Sequence, residues 1–127
     1  MAGTLVIDTL KSSTANPPAF QNTSGTEVGQ LCRAWVNFDG TTGTKRASFN
    51  VSSVARNSTG DYTVNFTSAL TDANYAVTTC VEKAAGGYIP SASINASFAP
   101  AAGSVRILTG SENLTNDRSY IHVAFFR

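Results

Sequence analysis

One histidine, two cysteines and eight acidic residues are what this chain offers for nucleophilic, acid–base or metal chemistry. His122 falls in Tyr120-Ile121-His122-Val123-Ala124-Phe125-Phe126, a strand-like run without a neighbouring acid or cysteine for a triad or a His-based metal site. The expected role is a strand histidine satisfied by a hydrogen bond or by a subunit contact. Cys32 and Cys80 are far apart in sequence and form no CxxC pattern, so no metal centre is expected. Two buried free thiols and a Cys32–Cys80 disulfide are both open, the second only in an oxidising exterior. Asp39, Asp61, Asp72 and Asp117 each sit at turn-like sequence, where a carboxylate caps backbone N–H groups. A glycosidase pair has no convincing place among them. No calcium-loop, GxGxxG or phosphate-loop pattern occurs. The expectation is a protein that is not an enzyme and carries no cofactor and no metal.

Aromatic residues offer another kind of chemistry, because a flat ring beside amides can stack on a sugar or anchor an oligomer. Trp35 alternates with Ala34 and Val36 and projects to the opposite face of its strand. It is expected at a subunit interface or in the core, with a ligand platform as the alternative. Tyr88, beside Gly86-Gly87, is the candidate for an exposed contact.

The elements that hold these residues follow from composition and period. Of 127 residues, 16 are Thr, 14 Ser and 10 Asn, whereas only 13% are charged and the net charge is +1. Such balance gives no electrostatic case for nucleic acid, and 42% apolar residues argue against disorder. Residues Met1–Asp8 lack a basic segment and a signal-peptide-length apolar run, and no stretch reaches the ~18 apolar residues of a membrane span. Six Asn-x-Ser/Thr triplets, beginning at Asn22, Asn50, Asn57, Asn65, Asn95 and Asn113, are read as a product of this composition.

Apolar residues recur with period two. Tyr62, Val64 and Phe66 alternate with Thr63, Asn65 and Thr67; Ala47, Phe49 and Val51 with Ser48, Asn50 and Ser52; Ala92, Ile94, Ala96 and Phe98 with Ser93, Asn95 and Ser97. Runs at 31–38, 74–82, 104–108 and 119–126 are apolar on both faces. Gly-, Asn- and Pro-rich turns separate the runs. The pattern predicts an all-β fold: a single antiparallel β-sandwich, jelly-roll-like, of about seven strands over residues 31–127. Helix should be limited to short turns, with 69–73 as the place for one. The closing strand carries Ile121, Val123 and Phe125 on one face, and these with Trp35 are expected at a subunit interface.

Residues 1–30 read as an extended N-terminal docking arm and linker. Leu5, Val6, Ile7 and Leu10 make a short β-prone run, and Pro17-Pro18 favours an extended path. An isolated strand is unstable in water, so this run is expected to dock on a neighbouring chain.

The stretches Cys32-Arg33-Ala34-Trp35-Val36-Asn37-Phe38-Asp39-Gly40, Ala47 to Val54, Thr59 to Phe66 and Asp72 to Val77, with the closing Ile121 to Arg127, carry a resemblance. Together they resemble a β module common in tailed bacteriophages, seen at the C-terminal ends of tail-fibre-like proteins and in small virion proteins. The resemblance implies a non-enzymatic structural or adhesive part on the exterior of a virion, and it transfers no catalytic residue. One account is a tail-fibre-like module attached through its arm and touching the host surface. The alternative is a capsid decoration (cement) protein that laces neighbouring capsid subunits together. Expected partners are further copies of itself as a homotrimer, the tail or major capsid protein, and a host cell-surface glycan, with no nucleic acid and no membrane insertion.

Overall fold

Period-two alternation of apolar with hydroxyl and amide side chains produces eleven strands and no helix among the described residues. The computed structural model describes residues 3, 6–13, 17–83, 87, 89–111 and 114–127. Two units, Met1–Leu31 and Cys32–Arg127, make up the chain.

In the first unit, β1 (Phe20–Gln21) and β2 (Glu27–Gly29) pair as an antiparallel hairpin. Asn22 makes the turn: its Oδ1 accepts from the N–H groups of Ser24 and Thr26, each at 3.0 Å, and Gly25 supplies a φ of 79°. The sequence reading treats this segment as linker, although Asn22-Thr23-Ser24-Gly25 is a turn signal. Of the docking residues, Val6, Ile7 and Leu10 are exposed and belong to no strand, and Leu5 lies outside the described residues.

The second unit is an antiparallel β-sandwich of one four-stranded and one five-stranded sheet. One sheet has the order β4 (Lys45–Phe49), β3 (Cys32–Phe38), β11 (Ile121–Phe126), β7 (Ala76–Val81). In the other, β9 (Ser104–Ser111) pairs with β6 (Asp61–Phe66) and with β8 (Ser91–Ile94), and β6 pairs with β5 (Val51–Ser58). The two-residue β10 (Leu114–Thr115) folds back on the end of β9. Alternate residues of both sheets meet between them: Ala34, Val36 and Phe38 of β3 and Ile121, Val123 and Phe125 of β11 against Tyr62, Val64 and Phe66 of β6 and Val105 and Ile107 of β9. Each fully buried large aliphatic or aromatic side chain contributes about 1.5–3 kcal/mol. Phe125, Phe66 and Tyr75 stack edge to face with centroids 4.9–5.8 Å apart, and Phe38 meets Tyr62 at 5.1 Å.

Residues 32–127 hold nine strands where the sequence pattern predicts about seven, because the run through 47–53 is two strands, not one, and because β10 adds a two-residue strand. The chain turns at Asn50, where φ is 53°, and passes from one sheet to the other. An asparagine tolerates that left-handed backbone better than most residues. Its side chain also pins the corner, donating through Nδ2 to the carbonyls of Arg33 and Ser68 and accepting from Ser68 N–H at 2.8 Å. Residues 69–73 contain no helical turn, and 71–73 form bends.

Candidate functional site

Because the inward positions of β3 and β11 fill the core, their alternate residues form the outer face of the β4-β3-β11-β7 sheet. Strand register sets this face in rows. Phe49, Trp35, Ala124 and Thr78 make one, and Ala47, Asn37, His122 and Cys80 make the next. Trp35 and Phe49 are directly opposed across β3 and β4 and remain 40% and 56% exposed. Beside them, Trp35, Thr78, Cys80, His122 and Ala124 line a shallow groove of about 230 Å³. Its floor is low because Ala124 is small. Arg33 takes an outward position of β3, and Arg46, at the irregularity in the β3–β4 register, lies 4.3 Å over the exposed Tyr120 ring beside the same face.

Trp35 projects away from Ala34 and Val36, as its alternation with them predicts, and at 40% exposure it lies outside the core. Phe49 is missed by the sequence reading, which assigns it to a half-buried strand. Its signal was its position opposite Trp35, which only strand register reveals. Ile121, Val123 and Phe125 require a correction. They are 0%, 2% and 0% exposed, packed between the two sheets, and belong to the core of the monomer and not to a subunit interface. It is His122, Ala124 and Phe126 that take the outward positions of β11.

The Cys32–Cys80 disulfide is also corrected. Both thiols are free. Cys32 pairs in register with Phe126, which pairs with Ala76, so Cys80 lies two strands across and four residues along. At about 4.8 Å per strand and 3.3 Å per residue that is roughly 16 Å between Cα atoms, beyond the ~7 Å that a disulfide spans. Cys80 is exposed, and Cys32 is half-buried with its Sγ 3.3 Å from the carbonyl oxygen of Ala34. Tyr88 lies outside the described residues.

The turn aspartates have partners that the sequence does not reveal. Each meets its own arginine: Asp39 with Arg46 at 3.1 Å, Asp61 with Arg106 at 2.7 Å, Asp72 with Arg127 at 2.6 Å, and Asp117 with Arg56. Asp61 is 7% exposed and also accepts from Asn57 and Asn95, while Arg106 stacks 3.7 Å above the Phe98 ring. The Arg106 hydrogen bonds hold its pKa below the usual carboxylate range. Burial opposes ionisation of Asp117, yet hydrogen bonds from Arg56, Gly60 N–H and the Tyr62 hydroxyl hold its pKa at about 2. Arg127 and Asn74 N–H hold Asp72 at about 2 as well. All four are carboxylates at neutral pH, so none of them is poised as a proton donor there.

On the other sheet, Ser91, Ser93, Leu108, Leu114 and Thr115 help line a second shallow depression of about 240 Å³, with no titratable group among its described lining residues. Among the described residues no three potential metal ligands of one chain come together. The chain matches no family model, no curated protein and no solved structure.

Proposed function

We propose that this protein is a structural component of a tailed-phage virion, a tail-fibre-like β module that associates with copies of itself through the outer face of the β4-β3-β11-β7 sheet. The observation that carries self-association is the opposed Trp35–Phe49 pair, 40% and 56% exposed on the sheet face. Two large aromatics side by side on an exposed face are costly in an isolated molecule and are characteristic of interface centres. The phage setting rests on the sequence resemblance. Attachment falls to the exposed Val6, Ile7 and Leu10, whose apolar side chains suit strand addition to a neighbouring chain.

Size supports this division of labour. Four strands about 4.8 Å apart and about six residues long present roughly 380 Å² of flat sheet, so two copies face to face bury on the order of 800 Å² before side-chain relief is counted. A stable specific interface takes about 1,200 Å² or more in total. The face alone is thus a modest contact, and the N-terminal segment supplies the rest.

Sedimentation equilibrium of the full chain, metal-free and reduced, tests the reading. The expected result is an oligomer at about 10 µM that Trp35→Glu converts to a folded monomer; a wild-type monomer at that concentration overturns it. Immunogold labelling of purified particles tests the virion assignment, and the copy number separates tail from shell.

A further inference from the structure

We propose that Cys80 and His122 are half of a thiolate–imidazole metal site, completed by the same two residues of a second copy to give a Cys₂His₂ zinc centre. The inference rests on the self-association face proposed above and adds to it a ligand class and a pairing geometry. Three observations carry it. First, Cys80 on β7 and His122 on β11 are register partners on the outer face, so their Cβ atoms lie about 5 Å apart. That separation lets a thiolate at about 2.3 Å and an imidazole nitrogen at about 2.0 Å reach one tetrahedral ion. Second, both residues are exposed, Cys80 is a free thiol, and both line the groove beside Trp35. Third, Asn37 is the register partner of His122 on its other side, and its Oδ1 is buried without a hydrogen-bond partner. A ligating histidine commonly donates its second ring N–H to such an acceptor, which fixes the ring and raises its basicity.

One chain supplies two ligands and a structural zinc takes four, so the site is incomplete without a second copy. A two-fold axis through the shared row brings the two pairs together, because an isologous contact sets each residue against the same patch of its partner. Sheets packed face to face stand about 10 Å apart, which leaves about 5 Å from each backbone plane to an ion midway, within reach of both side chains. Each Cys80 thiol loses its proton on binding, and the two thiolates neutralise the divalent cation. The ion also offsets the modest area of the contact. The three-fold arrangement expected from the sequence would bring six such ligands to one axis, too many for tetrahedral zinc.

Cobalt(II) titration of the reduced, metal-free full chain provides the test, with absorbance and sedimented mass followed together. The expected result is saturation at one cobalt per two chains, with thiolate-to-cobalt charge transfer and intense tetrahedral d–d bands, and, at chain concentrations dilute enough for the metal-free protein to be monomeric, a doubled mass; excess zinc abolishes the spectrum and leaves the mass doubled. Cys80→Ser and His122→Asn should each abolish the bands and the metal-dependent change in mass, and Cys32→Ser should leave both intact. A silent wild type, saturation at one metal per chain, or bands that survive in Cys80→Ser overturns the metal site. Metal-free association that Trp35→Glu disrupts, together with silence towards cobalt, overturns this inference while leaving the face reading in place.

Discussion

The Tyr62 hydroxyl, carried on a core residue of β6, donates a 2.7 Å hydrogen bond to Asp117, 55 residues later in the chain. The same carboxylate accepts from Gly60 N–H at 2.8 Å and pairs with Arg56. One acid thus ties the β5–β6 hairpin to the segment that leads into β11. Burial, followed by this bond to a carboxylate, pushes the Tyr62 pKa above its ordinary value. Replacing Tyr62 with Phe keeps the ring and deletes the bond. The expected loss is about 1.5–3 kcal/mol, the range for hydrogen bonds to charged groups, measured by urea unfolding.

Acid should weaken the fold through the same aspartates. Asp117 and Asp72 titrate at about 2 in the folded chain, against about 3.9 for an unfolded aspartate. As pH falls the unfolded chain takes up protons first, so their stabilisation is full above about pH 4 and is lost as pH drops towards 2. Thermal midpoints recorded between pH 2 and 7 should fall steeply in that window, and Asp117→Asn should start lower and fall less. An unchanged slope in the variant would remove Asp117 from the account.

Gly60 and Gly103 should respond differently to alanine. Gly60 has a φ of 66°, and an added Cβ would sit 2.4 Å from the carbonyl oxygen of Thr109 and 2.6 Å from Asn116 N. Gly103 has nothing within 4 Å of that position. Gly60→Ala should therefore cost about 1–3 kcal/mol or more, and Gly103→Ala should stay within about 0.5 kcal/mol. Equal effects in chemical denaturation would contradict the difference in backbone and packing.

Phe125 and Trp35 should separate stability from assembly. Phe125 is fully buried in the Phe66–Tyr75 cluster, so Phe125→Ala should cost about 3–5 kcal/mol. Trp35→Ala removes an exposed ring and should leave monomer unfolding within about 1 kcal/mol while lowering the sedimented mass. The reverse pattern would return Phe125 to the interface.

Thiol accessibility should follow the sheet geometry. Under native conditions Cys80 should react rapidly with a thiol reagent and half-buried Cys32 slowly, and mild oxidation should yield no Cys32–Cys80 bond within one chain. Peptide mapping of the oxidised monomer decides this, since a crosslinked peptide would require the two strands to lie elsewhere.

Much of the architecture was legible from alternation alone. Tyr62, Val64 and Phe66, or Ile121, Val123 and Phe125, repeat at two residues, and that period suits only a pleated strand with one face covered. Turn chemistry at Asp39-Gly40 and Asn57 to Asp61 marked where hairpins close. The break at Asn50 was not legible, because a corner in which one asparagine satisfies three backbone groups leaves the alternation on either side intact. Nor were the four Asp–Arg pairs, whose partners lie 7 to 61 residues apart.

The amino-acid sequence by itself determined that this chain is an antiparallel β protein with hydroxyl and amide faces, since period and composition act locally and need no partner strand. Only the tertiary structure decided which of two apolar faces is buried and what stands beside what on the other. Alternation separates Ile121, Val123 and Phe125 from His122, Ala124 and Phe126 but does not say which set looks inward; the opposing sheet does. The same step sends the core triad out of the interface, sets Phe49 beside Trp35, keeps Cys32 from Cys80 and brings Cys80 to His122. Each of those relations depends on register between strands distant in sequence, and a shift of one residue would reverse it.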